Sequence, residues 1–200
     1  KVKKKKVMAE IKEKNKTILS DERTAVNFLN HAAGISTLTN LFVQKVKKKT
    51  KICCTRKTTP NLRLLEKYAV KIGGGHNHRY NLSDEILIKD NHISAEESLK
   101  TLVKKAIRTK KLVTVEIENI YQLKEINGLK FKRILFDNMN MQQLKKCLKL
   151  CKNKYQTEYS GNANLKNIKN ISKIGINRIS VGAITHSAKS FDTSLKFKDN

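Results

Sequence analysis

Residues 112–119 read LVTVEIEN, a short apolar run that ends in a carboxylate and an amide. Similar runs follow along the chain: RILFDN (133–138), YQTEYSG (155–161) and RISVGA (178–183). Reference positions in the four runs lie 20, 22 and 23 residues apart: Glu116, Phe136, Glu158 and Val181. A strand, a helix and two loops occupy about that length, so the spacing predicts βα units and a parallel sheet with helical crossovers.

Two earlier runs extend the pattern toward the N-terminus, KICCTRK (51–57) and EILIKDN (85–91). Helical patterns such as IYQLKEI and MQQLKKCLKL lie between the later runs. Each run ends in residues able to bind a ligand: Arg56, Lys57, Lys89, Asp90, Glu118, Asp137, Ser160, Gly161 and Gly182. Six such strand ends favour a (β/α) barrel, because a doubly wound sheet concentrates its ligand groups near one switch point.

The N-terminal quarter has a different pattern. Apolar residues recur at helical spacing over residues 20–46 and continue past Gly34, which predicts two helices or one broken helix. The residues before about position 20 are polar and rich in lysine, and they predict no element.

The formal net charge is +26 at pH 7 over 200 residues. Lysine is spread along almost the whole chain, whereas a nucleic-acid surface usually concentrates basic side chains on one face or arm. The pattern favours a drift in composition toward Lys, Asn and Ile, with a selected polyanion-binding surface as the open alternative. Either origin predicts weak, nonspecific binding of nucleic acid.

The four cysteines do not form the framework of a disulfide-rich domain. Cys53 and Cys54 are adjacent in a predicted strand and face opposite sides, while Cys147 and Cys151 stand i, i+4 on a predicted helix. We interpret them as small buried residues in a reducing compartment, which predicts a cytoplasmic protein. No apolar run has membrane-spanning length, so we expect no membrane association.

Two clusters in residues 55–79, TRKTTPNLRLLEKYAVKIGGGHNHR, combine cations with hydroxyl groups, glycines or imidazoles. Cations in a concave site hold carboxylates or phosphates, and two carboxylates beside phosphates can bind Mg²⁺ or ribose hydroxyls. A metal site at His76 and His78 is disfavoured, because Arg79 and Lys57 would repel a dication. The strand ends therefore predict a site for a sugar polyphosphate beside an acidic small molecule.

Several of these motifs resemble quinolinate phosphoribosyltransferase, the carboxylating nicotinate-nucleotide pyrophosphorylase. They are DERTAVNFLNHAAGIST, TRKTTPNLRLLEKYAVKIGGGHNHR, ILIKDNHI, VEIEN, ILFDNM, EYSGN and ISVGAITHSAKSFDTSLK, spread from about Ala9 to about Lys196. The resemblance implies an α/β fold, an open (β/α) barrel of the type II phosphoribosyltransferase kind. Residues 49–200 would form the barrel, and residues 1–48 a helical remnant of an N-terminal α/β sandwich domain with its connecting helices.

The resemblance also implies a reaction in NAD (pyridine nucleotide) biosynthesis. Quinolinate and phosphoribosyl pyrophosphate give nicotinate mononucleotide, pyrophosphate and CO2, with Mg²⁺ as cofactor. Two alternatives stay open: a truncated, catalytically decayed basic remnant that binds nucleic acid, and a related transferase with another acidic acceptor.

The family's functional positions carry over to this sequence as follows. The resemblance implies that Lys89, Glu118 and Asp137 are catalytic and that Glu118 and Asp137 also bind Mg²⁺. The substrate-binding residues are these three with Arg23, Thr55, Arg56, Lys57, His78, Arg79, Ser160, Gly161, Asn162, Val181, Gly182 and Ala183. Arg23 resembles an arginine that reaches the neighbouring subunit's site, which implies a homodimer or an oligomer of dimers.

Two positions depart from the family's motifs. Asn61 and Asn162 stand where the family usually has glycine. Asparagine tolerates a left-handed backbone better than most other residues, so we expect the turns to be kept.

Overall fold

The computed structural model describes residues 6–93, 98–151 and 153–197, apart from the side chains of Asp90 and Ile93. The strands are β1 (Lys51–Cys53), β2 (Ile86–Ile88), β3 (Val113–Ile117), β4 (Arg133–Asp137), β5 (Gln156–Ser160) and β6 (Arg178–Ser180). The helices are α1 (Asn15–Lys45), α2 (Arg63–Ile72), α3 (Asp90–Ile93), α4 (Leu99–Arg108), α5 (Ile120–Ile126), α6 (Met141–Cys151), α7 (Ile168–Lys173) and α8 (Ala183–His186).

Across the described residues, one parallel sheet has the strand order β1-β6-β5-β4-β3-β2. The first strand, β1, pairs with the last, β6, as in a barrel. The barrel is open between β1 and β2, which are the two edge strands. A single parallel bridge between Cys53 and His76 places the segment after α2 beside the free edge of β1. The α/β fold with an open barrel is therefore confirmed.

The hydrophobic core lies between the sheet and the surrounding helices. Alternate strand residues such as Val115, Ile134 and Phe136 face outward and are fully buried. Helix residues that include Leu123 and Leu144 complete the same cluster. Because successive side chains of a strand point to opposite faces, the remaining strand residues point into the barrel. At the carboxyl ends of the strands, several of these inward residues are the predicted ligand-binding residues.

Helix α1 is one continuous helix of 31 residues, so the prediction of two helices or a broken helix is wrong. It also begins at Asn15, within the stretch that predicted no element. Its C-terminal half packs on the barrel through buried Ile35, Thr39 and Phe42. Asn30 ties it to the end of the chain, since its carbonyl accepts from the Phe191 amide at 3.1 Å. Packing carries the helix through Gly34, where the local sequence indicated a break.

Domain bounds at residues 1–48 and 49–200 stay a prediction, and parts of both ranges lie outside the described residues. In the part of the chain that the structure covers, no helix combines the length and apolar character that a membrane span requires.

Candidate active site

The carboxyl ends of β2 to β5 bring predicted site residues into one row inside the barrel. Asp137 pairs with Ser160 in the register of β4 and β5, and Ile117, which precedes Glu118, pairs with Phe136. Lys89, Glu118, Asp137 and Ser160 share the inward parity of their strands. Consecutive strands therefore present an amine, two carboxylates and a hydroxyl to the same space.

Glu116 is a further candidate for the site, although it was not among the predicted ligand-binding residues. Its carboxylate lies 3.2 Å from Lys89 Nζ, and its side chain is largely buried whereas that of Lys89 is half exposed. The contact holds the amine of Lys89 just after the end of β2. Glu116 lies two residues before Glu118 and therefore on the same face of β3. This spacing could have predicted that Glu116 points into the barrel.

The TRKT segment (residues 55–58) follows β1 and carries an incompletely bonded guanidinium. Arg56 Nε is buried, and among the described residues none accepts a hydrogen bond from it. Lys57 is exposed, but its carbonyl accepts from Thr185 Oγ1 at 2.7 Å, which fixes its backbone. The Thr55 hydroxyl caps this turn by accepting from the Lys57 amide at 3.1 Å. A buried donor without an acceptor is what an anion pocket offers before its ligand binds.

The HNHR segment (residues 76–79) runs beside the TRKT segment, because the Cys54 amide donates to the His76 carbonyl at 3.0 Å. Arg79 donates to the Glu85 carbonyl at 3.0 Å, and burial together with repulsion from Arg56 lowers the pKa of its guanidinium. Two guanidinium groups thus lie close enough to repel each other. Such an arrangement is stabilised when an anion lies between them.

His78 faces the barrel interior and is buried. Its Nδ1 accepts from the Arg79 amide at 3.0 Å, and its Nε2 lies 3.5 Å from the Glu158 carboxylate. Burial lowers the pKa of the imidazole, and the neighbouring carboxylate Glu158 opposes that shift. The ring thus connects the predicted pocket with the charged network below it.

That network fills the barrel interior under the strand ends. Arg133 lies 2.9 Å from Glu85, and Arg178 lies 3.0 Å from Glu158, with a further contact of 3.5 Å between Arg133 and Glu158. Ser180 also donates to Glu158. Glu158 therefore acts as a structural acceptor, with Arg178, Arg133 and Ser180 as its partners.

The glycines of the GGG motif do not line the anion pocket. A Cβ on Gly73 would lie 2.4 Å from the Ser36 carbonyl oxygen, and one on Gly75 would lie 2.6 Å from Thr39 Cγ2. Both glycines are therefore required where α2 and its following turn pack against α1. Their role is in packing between two helices.

The ends of β5 and β6 contain the tight turns. Gly161 has φ +107°, and a Cβ there would lie 2.2 Å from Asn138 Oδ1, so no larger residue fits. Asn162 and Asn61 have φ 49° and 62°, so the left-handed turns are kept without glycine. The Val181 amide already donates to the Cys53 carbonyl at 2.9 Å, which leaves Gly182 and Ala183, at the start of α8, as the half-buried part of this turn.

Arg23 is exposed on the N-terminal half of α1. Among the described residues it forms no hydrogen bond or ion pair. Its role in the site of a neighbouring subunit stays a prediction.

The residues present fit a magnesium ion only if the substrate also supplies ligands. The described residues contain no group of three or more His, Cys, Asp or Glu side chains able to hold a metal. Glu118 is exposed, and Asp137 is half-buried and accepts from Asn138 Nδ2 at 2.8 Å. Mg²⁺ commonly binds one or two carboxylates together with substrate phosphates, and these two strand ends match that pattern.

The opposite end of the barrel carries two cavities of about 660 and 680 Å³. Within the described residues their linings share Tyr155 and include no carboxylate. They contain eight lysines: Lys110, Lys111, Lys130, Lys132, Lys154, Lys145, Lys149 and Lys173. Phe131 stacks on Tyr155 with ring centroids 4.6 Å apart. This end is thus cationic with an apolar floor.

Comparison with known proteins agrees with this geometry. The family described as quinolinate phosphoribosyl transferase, C-terminal domain, matches residues 35–196. A probable nicotinate-nucleotide pyrophosphorylase [carboxylating] from Bacillus subtilis is 42% identical over 193 residues, covering 94% of this chain and 67% of that protein. The chloroplastic nicotinate-nucleotide pyrophosphorylase of Arabidopsis thaliana is 38% identical, with 90% of this chain and 57% of that protein covered.

The crystal structure of NadC from Streptococcus pyogenes superposes with a TM-score of 0.88 at 40% identity, over 92% of this chain and 66% of that one. The chain thus spans about two thirds of its bacterial relatives and less of the plant protein. On this likeness of sequence and fold, the chain belongs to the quinolinate phosphoribosyltransferase family, whose C-terminal domain its residues 35–196 match.

Proposed function

We propose that this protein transfers the phosphoribosyl group of phosphoribosyl pyrophosphate to quinolinate with loss of CO2, forming nicotinate mononucleotide for NAD biosynthesis. The observation that carries the proposal is the buried Arg56 Nε, which has no acceptor among the described residues and lies near a second guanidinium, that of Arg79. Quinolinate carries two carboxylates, and its partner carries a phosphate and a pyrophosphate. A site with surplus cations on one side and two carboxylates on the other fits that pair.

In the reaction, the quinolinate nitrogen forms a bond to the anomeric carbon as the bond to pyrophosphate breaks. Positive charge develops on the ribose, and the carboxylates of Glu118 and Asp137 would stabilise it. Arg56, Arg79 and Lys89 hold the anionic groups and keep the two substrates in register. The bond from C2 to its carboxylate then breaks with loss of CO2, and the bonding electrons stay on C2, where the adjacent positive ring nitrogen stabilises them. A proton from water then adds to C2 and completes nicotinate mononucleotide.

Mg²⁺ bound by the pyrophosphate, with Glu118 and Asp137 as its protein ligands, would supply further neutralisation of the leaving group. The remaining substrate contacts are assigned to the two segments and the turns: Thr55, Lys57, His78, Ser160, Gly161, Asn162, Val181, Gly182 and Ala183. We place the reaction in the cytoplasm, since all four cysteines are free and buried.

The direct test follows CO2 released from carboxyl-labelled quinolinate in the presence of phosphoribosyl pyrophosphate and Mg²⁺. Wild-type protein should release CO2, and Lys89→Met should release it at least about 100-fold more slowly. Lys71→Met, which removes an exposed amine from α2, is the matched control. Nicotinate should be a poor acceptor. Equal use of nicotinate, or no turnover by the wild type, contradicts the proposal.

We further propose a homodimer in which Arg23 enters the site of the neighbouring subunit. Exposed apolar side chains lie on the same half of α1, with Leu19 at 63%, Phe28 at 45% and Leu29 at 47% exposure, as expected for a surface that another subunit covers. Mixing Arg23→Ala with Lys89→Met should restore part of the activity, because one site of the mixed dimer is intact. A monomer by light scattering, or no restoration on mixing, argues against it.

Nonspecific binding of single-stranded nucleic acid is a second candidate function, favoured by the lysine-lined cavities. Those lysines surround an apolar floor with an aromatic pair, and they have no described carboxylate partner. Phosphates can follow the lysines while bases contact the floor. This end of the barrel is opposite the candidate active site, so the two functions are compatible.

The test compares two triple variants with the same loss of charge. Lys130, Lys132 and Lys154 change to Gln in one, and exposed Lys12, Lys14 and Lys16 in the other. Anisotropy of a labelled 20-nucleotide RNA, titrated at several salt concentrations, gives the slope of log K against log salt. The cavity variant should lower that slope by about 2 and the control by less. Equal losses would assign the binding to diffuse charge.

A further inference from the structure

Helix α2 connects the TRKT and HNHR segments, and three of its residues contact them. Arg63, Glu66 and Lys67 stand i, i+3 and i+4, so they lie on one face of the helix. Glu66 and Lys67 are fully buried, which is unusual for charged side chains. Such burial is stable only when hydrogen bonds compensate for the lost hydration, so their partners indicate what the two residues do.

Lys67 holds the HNHR segment. Its Nζ donates to the His78 carbonyl at 2.8 Å and to the Arg79 carbonyl at 3.0 Å. It also lies 3.4 Å from Cys54 Sγ, at the end of β1, and 4.8 Å from the centroid of the Tyr80 ring. Burial lowers the pKa of this amine. One ammonium thus fixes the backbone of the two residues whose side chains enter the pocket.

Glu66 holds the TRKT segment from the same turn of the helix. Its Oε2 accepts from the Thr59 amide at 3.2 Å, just after the segment, and its Oε1 lies 2.8 Å from His31 Nε2 on α1. Arg63 spans both sides, because Nε donates to Thr58 Oγ1 at 2.9 Å and NH1 to the Tyr80 carbonyl at 3.1 Å. All three residues bond to backbone or hydroxyl groups that flank the predicted anion ligands.

We propose that Arg63, Glu66 and Lys67 are positioning residues that set the spacing between the TRKT and HNHR segments, and thereby between the Arg56 and Arg79 guanidinium groups. Repulsion between the two guanidinium groups favours a wider spacing when no anion is present, and the hydrogen bonds of Arg63, Glu66 and Lys67, here called the clamp, oppose it. The clamp thus holds the pocket in its binding conformation before the substrate arrives, which lowers the entropy cost of binding. The effect of the clamp on catalysis rests on the proposed function, whereas its effect on the spacing of the two segments does not.

The test uses two adjacent substitutions as controls for each other, Glu66→Met and Lys67→Met. Both remove one buried charge from the same helical turn and keep a long apolar stem. Hydrogen exchange is measured by mass spectrometry on peptides covering residues 55–62 and 76–82, without substrate. Lys67→Met should speed exchange in 76–82 by about tenfold or more and leave 55–62 near wild type, and Glu66→Met should do the reverse.

Faster exchange in both peptides for both variants, or in neither, overturns the proposal, because it indicates general destabilisation or no clamp. If either variant does not fold, Arg63→Ala replaces it in the test, because Arg63 is half-buried and contacts both segments. Exchange should then rise in both peptides, while β4 and β5 stay protected. Unchanged exchange there overturns the proposal too.

Activity supplies a separate readout. The clamp predicts that Lys67→Met lowers kcat/KM for quinolinate about tenfold at saturating phosphoribosyl pyrophosphate. A wild type without turnover would reject the proposed function and leave the exchange pattern as the test of the clamp. An active Lys67→Met variant with wild-type kinetics would reject the positioning role.

Discussion

The barrel has two levels of charge that differ in how their charges are satisfied. In the interior, Glu85, Arg133, Glu158 and Arg178 bind one another at 2.9 to 3.5 Å. At the strand ends, cations outnumber carboxylates, and the buried Arg56 Nε has no described acceptor. Charges that satisfy each other stabilise the fold, and charges that do not are available to a ligand. Substitutions at the two levels should therefore affect different properties.

The largest effect is expected for Glu158→Gln, in the interior. It leaves the guanidinium groups of Arg133 and Arg178 without their shared carboxylate, and breaking a buried ion pair in this way costs about 3–5 kcal/mol. Urea denaturation followed by circular dichroism measures the loss. Glu118→Gln at the exposed strand end is the control and should change the free energy of unfolding by less than about 0.5 kcal/mol. Similar losses for both would remove the distinction between the levels.

The next effect concerns activity. Arg56→Met should lower kcat/KM for quinolinate by about 100-fold, which is about 2.7 kcal/mol of transition-state stabilisation. The free energy of unfolding should stay the same or rise slightly, since Arg79 loses a repulsive neighbour. Steady-state kinetics and urea denaturation are measured on the same preparation. A large loss of stability with unchanged kinetics would show that Arg56 stabilises the fold, as the interior charges do, and does not bind the substrate.

A smaller effect tests the backbone near the pocket. Asn61 has φ 62°, and Asn61→Val should cost about 1–2 kcal/mol because a β-branched residue is strained there. Asn127→Val, at φ −64°, is the matched control and should change stability much less. Asn61→Gly should be close to neutral. Thermal or urea denaturation that shows no difference between the two valine variants would contradict the assignment of a left-handed turn.

The smallest effect is a dependence of stability on pH. Burial lowers the pKa of His78, so at mildly acidic pH the unfolded chain binds a proton that the folded chain excludes. The resulting stability is present above the unfolded pKa of about 6.5 and is lost as the pH falls through the lowered folded value. Urea denaturation at pH 7.5 and 5.5 should show this loss, and His78→Asn should reduce it. His186→Asn, at an exposed imidazole, should leave it unchanged.

The recurrence of short apolar runs predicted the strands well, because each strand buries apolar side chains on its outer face, and the ends of parallel strands share one side of the sheet. IYQLKEI, for example, matches α5 residue for residue. The continuity of α1 could not be predicted, since packing against α2 and the chain terminus overrides the local signal at Gly34. The interior charge pairs also escaped prediction, because Glu85 and Arg133 are 48 residues apart and meet only across two strand pairings. The clamp on α2 was missed for the same reason, since a lysine in a helix indicates solvent until its partners are known.

The pairing of the first strand with the last has a consequence for biosynthesis. β1 joins the sheet through β6, and Asn30 bonds to Thr193, 163 residues later. At 5–20 residues per second, the ribosome makes the later partner roughly 8–30 s after the earlier one. During that interval the nascent chain exposes the edge of β1 and the apolar side of α1, where chaperones bind most readily. Vectorial synthesis thus delays ring assembly until β6 and Thr193 have been made, and truncations that remove them should aggregate in vivo.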